Sequence, residues 1–491
     1  MDFLLLFQND FLVCLPEIYL LSAACILLTL GVFAQEDGIH KAMGRLTLFA
    51  LGVGLLLVFQ NPIQEMLFFY HTLKVDGFTF FLKSLILSTT FGVMCLSADY
   101  LHKENIRAFE YYILVLIIAA SLLLLVSSND ILALYLALEC VTLSFYVLAS
   151  CHSQDQRSTE AGLKYFVLGA FSSGILLFGF ALLYGFTGLT NFEDLTCFLT
   201  GFAQLPFLPA SGLVVSLVFI CVGFLFKLTL VPFHMWAPDV YQGAPTAVTA
   251  LLAMPPKVAF FGVFLKLLTG CFYEFIGIWQ GILLVCSLSS MVFGGLAAIA
   301  QLNVKRLLAF SSMTHMGYMM MGVASGTLEG MQALVLYLSV YMAMSLITFG
   351  VLLSLRTEEG ESVQWLSQLS NLGKHHPLIG LSLSLTLLSL AGIPPLAGFL
   401  GKFYLFFASL SAGLYGVALV GILASVVSCF YYLRVIKVMY FESVMTPKVF
   451  ISDDPFHAWV MAVCFTIVVG LSFYPAPFFL MAHKVALALC F

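Results

Sequence analysis

Four ionisable residues stand where an apolar chain has least use for them. Glu139, Lys227, Lys257 and Lys402 each lie near the middle of a long apolar run. An ionised group at mid-bilayer costs at least ~2.5–3.5 kcal/mol on insertion scales, so such residues point to a function or to a polar interior that solvates them. Burial disfavours the charged form of lysine and of glutamate, and an opposite charge nearby favours it. A lysine tuned in this way takes up and releases a proton without redox chemistry. Several of them, linked by water and polar side chains, make a relay across a membrane. Glu139 is the natural counter-charge: pairing it with a lysine holds that lysine protonated, and separating the two frees the proton.

Two histidines fall in or near apolar runs. His315 lies in KRLLAFSSMTHMGY (305–318), with Ser311, Ser312 and Thr314 close by, and His234 sits beside Pro232. Histidine titrates nearest neutrality, so a relay role suits His315. A hydrogen-bonded structural role is the competing reading for both, and it suits His234 better. No H-E-x-x-H, P-loop or strand-borne G-x-G-x-x-G occurs, so metal hydrolysis, ATP use and nucleotide binding have no residues to carry them. The 12 cysteines are scattered without C-x-x-C spacing and read as small buried hydrophobes, with no iron–sulfur or zinc set.

The elements that position these residues follow from composition. Of 491 residues, 62% are hydrophobic and 9% charged. A soluble chain is ~25% charged. That excludes a soluble enzyme, a nucleic-acid binder and a disordered chain, and leaves an all-α polytopic membrane protein. Runs long enough to cross the hydrocarbon core predict 14 transmembrane helices. They fall at 11–34, 44–60, 77–98, 108–128, 130–150, 160–186, 212–236, 243–269, 276–300, 304–324, 328–355, 377–408, 413–441 and 456–483. No signal or transit segment precedes the first, so the chain is expected to work in the compartment that makes it.

Charge placement tests that count. With the N-terminus outside, the inner loops hold Lys41, Arg45, Lys103, Arg107, Arg157, Lys305, Arg306, Arg356, Lys374, Lys437 and Lys448, and the outer loops only Lys74 and Lys484. This asymmetry fits the positive-inside rule and puts both termini outside. Seven basic residues remain inside spans. Lys83, Lys266 and Arg434 lie near span ends and are read as snorkelling to an interface; Lys164, Lys227, Lys257 and Lys402 are the others.

Spans 7 and 12 carry breaks: GFLFKLTLVPFHMWAPD has Pro232 five residues after Lys227, and SLAGIPPLAGFLGKFYLF has Pro394 and Pro395 ahead of Lys402. Proline removes a donor and clashes with the preceding turn, so both helices should be discontinuous. Broken backbone is tolerated in a membrane where it lines a polar cavity or is packed in protein. The breaks are five spans apart, and an odd offset inverts direction. Spans 4–8 and 9–13 are thus expected to form inverted repeats with ion sites at the broken helices. The expected units are 1–107, the first repeat 108–269, the second repeat 276–441, and 442–491 with the last span.

STEAGLKYFVLGAFSSGILLFG (158–179), VGFLFKLTLVPFHMWAPDVYQGAPTAVTALLAMPPKVAFF (222–261), KRLLAFSSMTHMGY and AGIPPLAGFLGKFYLF (391–406) closely resemble the subunit 2, or N-type, membrane chains of respiratory NADH:ubiquinone oxidoreductase, complex I. LPEI (15–18) and DILALYLALE (130–139) match as well. The resemblance implies an antiporter-like fold of two inverted five-helix repeats, and proton translocation coupled to electron transfer elsewhere. By motif, Glu139 and Lys227 are the modulated pair, and Lys164 of EAGLKYF lies near them. Lys257 links the half-channels, His315 is a polar link, and Lys402 leads to the exit. No cofactor is expected in this chain, with flavin, iron–sulfur clusters and ubiquinone in other subunits. The implied partners are the subunit 4-type antiporter-like chain, the small subunit 4L-type chain and membrane lipids, with no nucleic acid. The implied location is the mitochondrial inner membrane, with a bacterial plasma membrane as the alternative. The rival reading is a stand-alone or Mrp-type cation/proton antiporter subunit. It would want further carboxylates, and only Glu17 and Glu139 lie clearly inside spans.

Overall fold

A computed structural model of the chain describes residues 10–33, 39–61, 65–104, 109–202, 210–357, 360–442, 450–451 and 455–490. Of the loop charges above, Arg107 and Lys448 lie outside the described residues. The helices are α1 (Leu15–Phe33), α2 (Ile39–Gln60), α3 (Gly77–Lys103), α4 (Glu110–Ser127), α5 (Ile131–Ala149), α6 (Gln156–Thr187) and a short α7 (Phe192–Phe202). Next come α8 (Ala210–Lys227), α9 (Trp236–Gly243), α10 (Thr246–Ala253), α11 (Pro255–Leu265), α12 (Ile276–Ile299), α13 (Val304–Ala324) and α14 (Leu328–Ser354). A single helical turn at Leu372–His375 precedes α15 (Pro377–Ala391), α16 (Ala397–Ser411), α17 (Tyr415–Phe441), α18 (Pro455–Phe473) and α19 (Ala476–Cys490).

Among the described residues, 11 helical stretches are long and apolar enough to cross a membrane. The expected spans outside that set are the seventh, tenth and twelfth. The seventh and twelfth are split, as their prolines require, into α8 with α9 and α15 with α16. The tenth, α13, is 21 residues long, but it begins with Lys305 and Arg306 and runs through Ser311, Ser312, Thr314 and His315. Two expectations need correcting. The run 456–483 is not one helix: α18 stops at Phe473 and α19 starts at Ala476, because Pro475 cannot continue a hydrogen-bonded turn. The fold also contains two small antiparallel two-stranded sheets, a hairpin of Met66–Phe68 with Leu73–Val75 and a long-range pair of Leu355–Arg356 with Phe450–Ile451.

Polar caps set where helices begin. Asp76 accepts from Thr79 N at 2.7 Å in a capping box that opens α3. Asp130, Asp155, Asn303 and Thr327 cap α5, α6, α13 and α14 in the same way. Small residues let helices approach. A side chain at Gly294 of α12 would meet Phe310 O of α13 at 3.1 Å, and one at Gly317 would meet Ser287 O at 3.1 Å. In the GAFSSG stretch Gly169 packs on Tyr146, whereas a side chain at Gly174 would meet nothing within 4 Å. The stretch Thr246–Cys271 and α14 are buried almost throughout, so they form the axis around which the other helices pack.

Polar contacts collect at two opposite rims. At one, Arg356 pairs with Glu104, Arg157 donates to Gln364 at 3.1 Å, Lys305 donates to Ala244 O at 2.8 Å and Arg306 to Gln242 at 3.2 Å. These are residues assigned to the inner loops. Lys305 and Arg356 are nevertheless buried, used as ties between helix ends rather than as solvated charges. At the other rim Asn129 N donates to Thr72 O at 2.8 Å, and the Asn129 and Asn191 amides both donate to His71 O, at 3.2 and 2.9 Å. His71 ends a run of three left-handed residues, Phe69, Tyr70 and His71, with φ between 49° and 66°. Such conformations cost ~1–3 kcal/mol each and persist only where surrounding bonds over-determine them; the two asparagines do so here.

Candidate functional site

The first break is built by sequence that ends a helix without a glycine. After Lys227, the last residue of α8, Thr229 turns left-handed with φ 60°. Leu230 N then reaches back to Leu225 O at 3.0 Å. The second break repeats this backbone. Gly392 caps α15 with φ 88°, and Ile393 N bonds Leu388 O at 3.1 Å. Each is a left-handed cap with a bond five residues back, followed at once by prolines: Val231–Pro232 in one, Pro394–Pro395 in the other, both cis. The two breaks share a backbone conformation although their sequences differ.

The two lysines use their breaks differently. Lys402 extends from α16 to the end of α15, donating to Leu390 O at 2.9 Å and Ala391 O at 3.0 Å. Those carbonyls have lost their helical donors, and the C-terminal end of a helix carries partial negative charge, so a cation there is well placed. Gly392 makes the approach possible: a Cβ on it would lie 3.0 Å from Lys402 Cδ. In the first break Trp236 fills that role, its indole donating to Phe226 O at 3.1 Å. Lys227 is therefore left free of the carbonyls and is buried.

Glu139 sits midway along α5. It makes no ion pair with Lys227 within 4.0 Å. One carboxylate oxygen of Glu139 receives Thr142 Oγ1 at 3.5 Å, and the other is buried without a partner.

Lys257 lies just past an irregularity that was not foreseen. The stretch Thr246–Cys271 is interrupted at Met254, where Pro255 and Pro256 open a new helix. The dipeptide was the available signal. Lys257 is buried with no protein acceptor for its amine, which lies 5.7 Å from the Tyr241 ring and 6.0 Å from the Tyr341 ring. At that range the ring faces give it a weak cation–π environment. His315 is buried on α13 between hydroxyls: Nδ1 is 2.6 Å from Tyr337 OH and Nε2 is 2.9 Å from Tyr432 OH. Lys402 has the Tyr318 ring 4.9 Å from its amine. Lys257, His315 and Lys402 thus share one aromatic-walled interior. None of these tyrosines was singled out from sequence, because their partners come from three helices far apart in the chain.

Lys164 stands elsewhere. It is 40% exposed at the inner rim, where it pairs with Glu160 at 2.8 Å and Asp239 at 2.9 Å, with Arg306 3.6 Å from Asp239. Its carboxylate partners are these, not Glu139. Asp239, from the half-helix after the first break, is a partner that sequence reading passed over. His234 packs against the Phe293 ring at 4.7 Å.

Lys83 is not snorkelling. It forms a buried ion pair with Glu17 at 2.6 Å. Lys266 donates to Val126 O at 3.1 Å and Ser128 O at 3.4 Å near the outer end of α4, and Arg434 to Ile299 O at 2.8 Å at the end of α12, as span-end residues would. Among the described residues no group of three or more His, Cys, Asp or Glu could hold a metal ion.

Residues 128–428 match the family described as NADH:quinone oxidoreductase/Mrp antiporter, TM. The chain is 43% identical over 496 residues to the NADH-ubiquinone oxidoreductase chain 2 of Marchantia polymorpha, covering 99% of this chain and 100% of that protein. It is 41% identical over 478 residues to the NADH-quinone oxidoreductase subunit N of Paramagnetospirillum magneticum, covering 95% and 96%. A chain in the structure of respiratory complex I from Thermus thermophilus with bound aureothin superimposes with a TM-score of 0.80 at 30% identity, covering 95% of this chain and 99% of that one.

Proposed function

This chain belongs to the NADH:quinone oxidoreductase/Mrp antiporter membrane family, among its chain 2 and subunit N members, and from that premise we propose how it moves protons. It is an antiporter-like membrane-arm subunit of complex I, the proton-translocating NADH:quinone oxidoreductase. Glu139 and Lys227 act as the modulated pair. Drawing them together holds the proton on Lys227, and parting them releases it toward Lys257. From Lys257 the proton passes by His315 to Lys402 and out. Lys164, clasped by Glu160 and Asp239 at the inner rim, sets access to the pair. The observation that carries this reading is the run Lys257, His315 and Lys402 through the buried core, with no carboxylate paired to either lysine among the described residues. Unpaired buried amines are expensive in a membrane and mark a path for charge.

The fold expected for this role has 14 spans. The 11 membrane-length stretches among the described residues, together with α13 and the two broken spans, support that number. Residues 108–269 and 276–441 form the inverted repeats, supported by the matched backbone at Thr229 and Gly392. Residues 1–107 and 442–491 flank them. Flavin, iron–sulfur clusters and ubiquinone belong to other subunits. The neighbours are the subunit 4-type and subunit 4L-type chains and membrane lipids. The location is the mitochondrial inner membrane, with a bacterial plasma membrane as the alternative. A stand-alone or Mrp-type cation/proton antiporter subunit is the weaker reading, since the full-length relatives at 41–43% identity are named as oxidoreductase chains.

Lys227→Ala and Glu139→Gln test the mechanism in the intact complex. Assembly should persist while NADH-driven proton pumping falls sharply. Wild-type pumping by both variants would end this reading. Purification in mild detergent separates the classes: a large assembly with flavin and iron–sulfur proteins supports the oxidoreductase, and a lone chain supports the antiporter.

A further inference from the structure

Resting on the relay reading above, we propose that Tyr337 and Tyr432 are relay residues, forming with His315 a directional Tyr432–His315–Tyr337 proton wire. Both imidazole nitrogens are taken by phenol oxygens, at 2.6 Å to Tyr337 and 2.9 Å to Tyr432. A neutral imidazole has one N–H and one acceptor nitrogen, so one tyrosine donates to the ring and the other accepts from it. The unit therefore has a sense of direction that two identical neighbours do not by themselves fix.

Its position suits a link. His315, Tyr337 and Tyr432 are all buried. Tyr341, whose ring is 6.0 Å from the Lys257 amine, lies 5.2 Å from the His315 ring, centroid to centroid. The ring carbons of Tyr337 pack against Gly401, the residue before Lys402. Tyr432 is backed by Tyr431, with ring centroids 4.4 Å apart, and Tyr431 reaches Thr314 at 3.5 Å. The Tyr432 side thus continues to Tyr431 and Thr314, and the Tyr337 ring lies beside the helix turn that carries Lys402.

The transfer balances. Take the tautomer in which Tyr432 O–H donates to Nε2 and Nδ1–H donates to Tyr337. A proton reaching Tyr432 Oη displaces that oxygen's own proton onto Nε2. The Nδ1 proton passes to Tyr337 Oη, and the Tyr337 hydroxyl proton leaves toward Lys402. Each O–H or N–H bond broken is replaced by one formed, and the ring ends neutral in its other tautomer. Both hydroxyls now point the opposite way. A second proton cannot follow in the same sense until hydroxyls and tautomer reset, so the wire passes one proton per cycle.

The test uses Tyr337→Phe, Tyr432→Phe and the double variant, with Lys257→Ala as reference, in the intact complex reconstituted in liposomes. NADH and a quinone drive it, and proton uptake is read by quenching of a pH-gradient dye, normalised to flavin content. Phenylalanine keeps the ring and removes the hydroxyl. Each single variant should lose at least about tenfold in pumping per complex, a modest share of what a positioned proton-transfer group contributes. The double variant should fall no further, because a wire cut once is cut. Wild-type pumping per complex by either single variant overturns the wire, including where the amount of assembled complex drops. Multiplying losses in the double variant overturn it too. If Lys257→Ala loses pumping while the tyrosine variants keep it, the wire alone fails. If Lys257→Ala also pumps normally, the relay reading falls first.

Discussion

Glu17 of α1 and Lys83 of α3 meet at 2.6 Å in an ion pair with about 2% of either side chain exposed. The charges neutralise each other, while Glu17 keeps its second oxygen buried and unpartnered. Removing one partner of such a pair leaves an uncompensated buried charge and costs about 3–5 kcal/mol. Glu17→Ala and Lys83→Ala should each lower the thermal stability and yield of the complex. The double variant Glu17→Gln/Lys83→Met should be milder than either. Thermal inactivation of purified complexes measures this, and a double variant worse than both singles would show that the pair does more than tie α1 to α3.

Lys402 distinguishes charge from proton exchange. Lys402→Met removes the amine that caps α15, and pumping should fall at least about tenfold with the complex still assembled. Lys402→Arg keeps a cation for the Leu390 and Ala391 carbonyls, but guanidinium holds its proton throughout the physiological range. It should assemble well and pump as poorly as Lys402→Met. Arginine that pumps like lysine would mean that Lys402 acts only as a fixed charge.

The equivalent positions Gly392 and Thr229 should respond in opposite directions to side-chain size. Gly392→Ala places a Cβ at φ 88° and against Lys402, costing about 1–2 kcal/mol from conformation alone and displacing the lysine. Stability and pumping should both drop. Thr229 is β-branched at φ 60°, so Thr229→Gly relieves strain of similar size, offset in part by glycine's flexibility in the unfolded chain. It should not destabilise. Melting temperatures of the two variants, compared with wild type, check both signs.

The Lys164–Asp239 pair lies at a wet rim, with side chains 40% and 37% exposed. Exposed pairs contribute about 0.2–1 kcal/mol and are screened by salt. A double-mutant cycle with Lys164→Ala and Asp239→Ala should give a coupling of that size that shrinks at high ionic strength. A large, salt-insensitive coupling would put the pair in a closed, dry state instead.

Much of the path was legible because charges are so few. A lysine in the middle of an apolar run has no neighbour to hide behind, which picked out Lys227, Lys257 and Lys402. Proline chemistry located both breaks. What could not be read was pairing. Lys83 lies near enough to a span end to read as snorkelling, yet Glu17 of α1 meets it in a buried ion pair. The resemblance sets Lys164 near the Glu139–Lys227 pair, but it gave no sign of Asp239, which the half-helix after the break brings to it. His315 gave no sign of its tyrosines, since Tyr337 and Tyr432 reach it from two other helices. Lys305 and Arg356 read as inner-loop charges, yet they are buried ties. Side-chain type reveals where a charge is unusual, and only three-dimensional packing says what answers it.

The asparagine-held turn at His71 has a consequence for where the chain can change length. Asn129 serves the Met66–Val75 hairpin through both backbone and side chain, and its carbonyl accepts from Phe192 N at 2.9 Å. Ile131 N donates to Thr190 O at 3.0 Å, and Asp130 accepts from the Thr190 hydroxyl at 2.7 Å. Three successive residues, 129 to 131, thus index the outer ends of four helices to one another. Inserting a single residue there would shift every one of those partners and rotate the face of α5 that carries Glu139. The short connection between α4 and α5 works as a ruler: it fixes which face of α5 looks toward Lys227, and it leaves no spare residue to do so.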